Sequence, residues 1–189
     1  MFAYENFSEI YDAIAHMLMP IYVISLFVSW GNINIRYLIS VVLVIDIFDL
    51  LTIDFAYSLG NEYYLMALFG SLLFFIPVLG RRLIAAKLSS RIKIFEKIQS
   101  QYSFTRQEGG LIFLYILASL INFITYIEAS LFTASIITNH PIINSVYGPA
   151  ISIIHLIEAF LILSLGTRGW RSSLSNKANK TSKPGSYTT

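Results

Sequence analysis

The chain has 189 residues, 56% of them hydrophobic and only 13% charged, with 13 Lys and Arg against 11 Asp and Glu. Soluble domains carry about 25% charged residues, so the composition points away from a water-soluble globule and toward a membrane protein. There is no cysteine, which excludes disulfides, thiolate metal sites and cysteine nucleophiles.

In chain order, the first twelve residues, "MFAYENFSEIYD", hold Glu5, Glu9 and Asp12 and no base. A secretory signal begins with positive charge, so the apolar run that follows is expected to be retained rather than cleaved. About 20 apolar residues in a helix cover the ~30 Å of bilayer hydrocarbon. On that basis five spans are predicted, over residues 13–30, 37–58, 63–79, 110–137 and 146–166. Pro20 is expected to kink the first. "GNE" makes a short turn between the second and third, and "TNHPIINS" a Pro-broken turn between the fourth and fifth. The expected fold class is all-α: a polytopic bundle of five transmembrane helices over residues 1–171, with an interfacial amphipathic helix. Residues 172–189, rich in Ser, Lys and Thr, are expected to form a disordered cytoplasmic tail.

Lys and Arg near span ends set orientation, because they are retained on the cytoplasmic side. Arg36, the run from Arg81 to Arg106, and the bases from Arg168 onward all fall in segments on one face of a five-span topology. The N-terminus is therefore expected outside and the C-terminus in the cytoplasm, in a plasma or inner membrane. The stretch "RRLIAAKLSSRIKIFEKIQS" has apolar residues at 84, 88, 92, 95 and 98, a helical spacing with a basic opposite face. It reads as an interfacial helix whose Arg81, Arg82, Lys87, Arg91, Lys93 and Lys97 contact lipid headgroups; a sharper reading makes it a linker that pushes on the spans either side.

Ionisable residues inside spans are costly and usually face a protein interior or a hydrated cavity. Asp46 and Asp49 lie one turn apart near the middle of the second span, and His155 and Glu158 one turn apart near the middle of the fifth. Glu128 lies on the fourth span, toward its outer end, with Asn122 on the same span. Asp54 is close enough to the outer boundary to reach water. No Lys or Arg lies inside a predicted span, so three roles remain open for these acids. They can be neutral hydrogen-bond donors between helices, they can line a hydrated cation or proton path, or they can hold a cation. Two carboxylates with an imidazole also suit a divalent metal, and the identity of any metal is unknown from the sequence.

From Asp49 onward the order of features resembles the voltage-gated-like cation channel superfamily. "IDIFDLLTID" is similar to the third helix of such sensors, where an aspartate in an I-D-L-x-x-I setting helps stabilise moving arginines, and Asp49 takes that place. "GRRLIAAKLSSRIKIFEKI" resembles the end of the charged fourth helix and its amphipathic linker. "RQEGGLIFLYILASLINFITYIEA" is similar to the fifth helix, which opens the pore domain. The resemblance spans residues 37–135 and implies a cation-channel-like helical scaffold. The chain has no T-x-G-Y-G filter motif, whose carbonyls would replace the ion's water, and span three is uncharged until Arg81.

The expected function is therefore ion transport, channel-like or coupled to a proton or monovalent cation, along Asp46, Asp49, Glu128, His155 and Glu158. The alternative is a non-transporting membrane partner, an accessory subunit or an immunity or exclusion-type protein, whose buried acids join helices. No G-x-S-x-G, H-E-x-x-H or phosphate loop appears, so an enzyme is not expected. Neither is a cofactor. Expected partners are membrane lipids and either further copies of the chain or a larger membrane protein; topology accounts for the basic residues, so nucleic acid is not among them.

Overall fold

A computed structural model describes residues 4–100 and 103–181, with the side chains of 4–12, 15, 94, 173 and 175–181 left aside. The described chain is all-helical. In order it forms α1 (Tyr4–Val28), α2 (Ile33–Ser58), α3 (Glu62–Leu73), α4 (Phe75–Leu79), α5 (Arg81–Leu88), α6 (Lys93–Ser100) and α7 (Arg106–Thr133). A π-helical turn, Ile143–Tyr147, then runs into α8 (Gly148–Thr181).

The helix boundaries have local causes. Asn32 caps α2, its side-chain oxygen accepting from the backbone N–H groups of Asn34 and Ile35 at 3.2 and 3.3 Å, which satisfies donors that lack an intrahelical acceptor. Thr105 caps α7 in the same way, accepting from the N–H of Glu108 at 3.2 Å. The α3–α4 break at Phe74 follows from Pro77, which has no N–H and whose ring crowds the carbonyl four residues back, at Leu73. At the end of α7, Ile136 donates to the Leu131 carbonyl and Ser135 to that of Phe132. This Schellman-type closure puts Ser135 at φ 58°, a region usually occupied by glycine.

α1 packs along α8 and α3 along α7, with α7 also against α8 and α1 against α2. The α1–α8 approach is close because small residues face each other. A Cβ added to Gly169 would stand 2.8 Å from Ser29 Cβ, and one on Gly166 would stand 3.2 Å from Ser25 Cα. Close approach of this kind is how helices associate where lipid offers no hydrophobic drive. A core of Tyr22, Leu38, Ile39, Phe74, Leu111 and Ile162 ties α1, α2, α7 and α8 to the α3–α4 junction.

Interhelical bonds define two unlike ends. At one, Asn32 donates to Ser172 Oγ at 3.0 Å, Gln107 to Ser164 Oγ at 3.2 Å, and Arg168 to Gln107 Oε1 at 3.2 Å. Arg36, Arg81, Arg106 and Arg168 gather there, with α5 and α6 between. At the other end, Asn61 donates to the Ala129 carbonyl at 3.3 Å and to Thr133 Oγ1, and the connecting segments carry no Lys or Arg.

Three stretches, Glu62–Leu79, Arg106–Thr133 and Ile143–Ser172, are long and apolar enough to cross a membrane. The apolar part of α1, His16–Val28, is shorter, and α2 is interrupted by Asp46, Asp49 and Asp54. Two segments differ from expectation. Residues 81–100 form two short helices that fold against each other rather than one. The turn between them follows Ser89, whose Oγ donates to the Ala86 carbonyl at 2.9 Å, a local bond that competes with helix continuation. Ile98 is then buried. The second difference is in α8, which continues through residues 172–181, where a disordered tail was expected. Residues 182–189 of that tail lie outside the described residues.

Candidate functional site

Within the bundle lies a cavity of about 490 Å³, walled by α1, α2, α3, α7, α8 and the π-helical turn. Asp46 and Asp49 reach it from α2, and His155 and Glu158 from α8. The i, i+3 spacing in each pair puts both members on one helix face, and these two faces border the same hollow. No Lys or Arg lines it.

Glu158 is its most deeply buried acid, 4% exposed. Its Oε1 accepts a 2.6 Å hydrogen bond from the Tyr115 hydroxyl on α7, and Tyr22 of α1 lies beside the same carboxylate. Tyr115 is held in place by stacking on Phe74, ring centroids 4.2 Å apart. His155 Nδ1 stands 3.5 Å from Glu158 Oε2. That nitrogen is buried, yet the contact lacks hydrogen-bond geometry. Asp46 is half-buried and Asp49 exposed, so the acids run from a closed inner end at Glu158 to an accessible one at Asp49.

Toward the end without Lys or Arg, the walls become tyrosines. Tyr147 donates to Asn122 Oδ1 at 3.1 Å, and Asn122 in turn donates to the Ala118 carbonyl at 3.0 Å. Tyr64 sits edge-on to Tyr147, centroids 5.1 Å apart, with Tyr63 5.2 Å from Tyr64. Toward the basic end the cavity stops at a packed layer. Leu38, Ile39, Val42, Phe74, Leu111 and Ile162 are each at most 1% exposed.

Glu128 stands apart from this cavity. Its two carboxylate oxygens accept from the backbone N–H groups of Ile142 and Ile143 at 2.9 and 2.8 Å. A carboxylate is favourable there because these N–H groups begin a helical run and carry its positive dipole end. Glu128 thus fastens the end of α7 to the start of the last helix. Asp54 is exposed and is not part of the cavity lining.

Arg81 is placed differently from the headgroup role expected of it. It is 1% exposed, and its Nη2 donates to Glu108 Oε2 at 3.0 Å inside the basic end. Its Nη1 donates to the Asn34 carbonyl at 3.4 Å, and the guanidinium lies 5.7 Å from the centroid of Tyr37. Arg82, Lys87, Arg91, Lys93 and Lys97 are exposed.

The sequence alone assigns no role to Tyr22, Tyr63 and Tyr115, and reads Tyr147, in Tyr147-Gly148-Pro149, as a helix entry. A signal existed: tyrosines inside apolar spans need a hydroxyl partner when buried, and Tyr115 finds Glu158 as Tyr147 finds Asn122. Among the described residues, no three His, Asp or Glu side chains converge in a way that could hold a metal ion. Chemically, the arrangement is a mostly apolar hollow with three carboxyls, one imidazole and phenol donors, suited to bind positive charge. The chain matches no family model, no curated protein and no solved structure.

Proposed function

We propose that the protein is an integral membrane protein that binds and moves a cation or proton, with Asp46, Asp49, His155 and Glu158 as the groups that take it up. In this reading α1, α2, α3–α4, α7 and α8 are five spans, with the N-terminus outside and the basic end in the cytoplasm. The observation that carries it is the convergence of all three carboxyls and the imidazole on one hollow without any Lys or Arg. Acids of this kind are expensive at bilayer depth unless they serve a polar path or a ligand. The end without Lys or Arg would face outward under the positive-inside rule, so the tyrosine-walled half of the cavity would receive cations from outside.

The packed layer beneath Glu158 bears on mechanism. A hollow closed on one side fits a carrier that alternates between two conformations better than an open pore. The resemblance to voltage-gated-like channels bears on this reading through Asp49. In sensors that aspartate meets moving arginines, whereas here it borders the cavity and Arg81 is held by Glu108. Voltage gating forms no part of the proposal. The outer half of α2, exposed at Ile47, Phe48, Leu50, Leu51 and Phe55, offers an apolar face to lipid or to a second copy.

One observation favours the alternative of a non-transporting membrane partner: Glu158 on α8 is hydrogen-bonded by Tyr115 on α7, as interhelical glue would be. Flux measurements separate the two. Protein reconstituted in liposomes should dissipate an imposed proton or monovalent-cation gradient. Glu158→Gln should lower that flux by about tenfold or more, as expected when a buried charge partner is lost, with insertion and elution unchanged. Equal flux from wild type and a variant neutralised at Asp46, Asp49 and Glu158, or none from either, would leave the partner reading.

A further inference from the structure

We infer that the cavity is a binding site for a hydrophobic organic cation, an ammonium or phosphonium centre carried on an apolar or aromatic body. The inference rests on the cation reading above and names the class of cation. Size is the first reason. About 490 Å³ lies within the ~300–1,000 Å³ of small-molecule sites and far exceeds what a proton or a bare metal ion needs. The walls are the second. Beyond the acids they are mainly aliphatic and aromatic, with Tyr22, Phe48, Tyr63, Phe69, Tyr115 and Tyr147 among them. An inorganic cation leaving water asks for a shell of oxygen ligands, and no such cluster of His, Asp and Glu exists among the described residues. An organic cation asks instead for apolar contact, aromatic faces and one or two carboxylates.

Charge is the third reason. Asp46, Asp49 and Glu158 border the hollow with only His155 as a basic neighbour, so a ligand that brings its own positive charge supplies what the site lacks. Depth orders the contacts: Asp49 at the accessible side attracts the cation, and Glu158, held by Tyr115 at 2.6 Å, receives it at the closed end. His155, whose Nδ1 lies 3.5 Å from Glu158 Oε2, borders the same end of the hollow.

The test uses the full-length protein in lipid nanodiscs and two probes of nearly the same shape and opposite charge, tetraphenylphosphonium and tetraphenylborate. Saturable binding of tetraphenylphosphonium, with tetraphenylborate bound at least about tenfold more weakly, is expected from the charge of the site. Glu158→Gln and Asp46→Asn should each weaken tetraphenylphosphonium binding by roughly tenfold to thirtyfold, while Asp54→Asn, outside the cavity, should not. Thermal unfolding of each variant separates lost binding from lost folding, and Asp46→Asn disturbs no hydrogen bond of the kind that holds Glu158. Equal binding of the two probes, or undiminished binding in folded Asp46→Asn and Glu158→Gln proteins, would overturn the inference. Inorganic cation or proton flux from liposomes without tetraphenylphosphonium binding would also overturn it, leaving the transport reading in place. Binding without any flux would sustain it and remove transport instead.

Discussion

Glu108 and Glu158 are both buried glutamates, and their partners differ in kind. Glu108 faces a guanidinium at 3.0 Å, whereas Glu158 faces two phenols and an imidazole. A buried ion pair is costly to break because the remaining charge is stranded. Arg81→Ala is therefore expected to destabilise the protein by roughly 3–5 kcal/mol, while Arg81→Met combined with Glu108→Leu should lose far less. Thermal unfolding in detergent compares the two. Neither member of this pair was legible locally. Arg81 opens a basic run and looks like its neighbour Arg82, which is exposed, and Glu108 sits at the edge of an apolar span. Their pairing depends on α7 returning to the place where α5 begins. Glu128 shows the same limit: its partners, Ile142 and Ile143, lie beyond a turn, so its position inside a span suggested a path residue.

At the scale of elements, apolar runs and caps were readable, and interruptions only in part. Long apolar stretches made α3–α4, α7 and α8 evident, and Pro77 accounts for the break between α3 and α4. The split of 81–100 into α5 and α6 was not evident, because the apolar spacing at 84, 88, 92, 95 and 98 continues across the turn. Folding back against its neighbour while burying Ile98 is a tertiary outcome that periodicity does not register. The α1–α8 seam makes a sharper claim. Ser25 and Ser29 meet Gly166 and Gly169 with almost no room for a side chain, so Gly169→Leu should force α1 away from α8. Overpacking of this type costs about 1–3 kcal/mol, visible as a lower unfolding temperature. Gly70, with nothing near its missing Cβ, is the comparison: Gly70→Ala should leave that temperature unchanged or slightly raised, since alanine favours the helix by up to about 1 kcal/mol.

For the whole molecule, the distribution of charge and apolar surface governs placement. Large apolar side chains such as Phe27, Leu51, Ile76 and Phe113 are more than half exposed, an arrangement suited to lipid and poorly suited to water. One end of the bundle gathers the arginines and the connecting segments at the other carry no Lys or Arg. Because the chain has no cysteine, single cysteines report sidedness without background. Thr138→Cys, in the exposed turn after α7, should react with a membrane-impermeant maleimide in intact cells, and Ser90→Cys, between α5 and α6, only after permeabilisation. The reverse pattern would invert the proposed orientation, and labelling of both in intact cells would remove it.

The sequence by itself determined that the chain is helical, where its long apolar runs lie, and that its bases cluster between particular runs, because hydrophobic length and charge position are properties of contiguous residues. Asp46, Asp49 and Glu158 could also be placed near the middle of their predicted spans. Whether those acids share a hollow was decided only by tertiary structure, since it depends on the rotation of each helix about its axis, which packing sets. The same holds for the tyrosine that holds Glu158, for the burial of Arg81, and for the removal of Glu128 from the cavity. Each of these is a contact between distant segments, and no single stretch of sequence contains both partners.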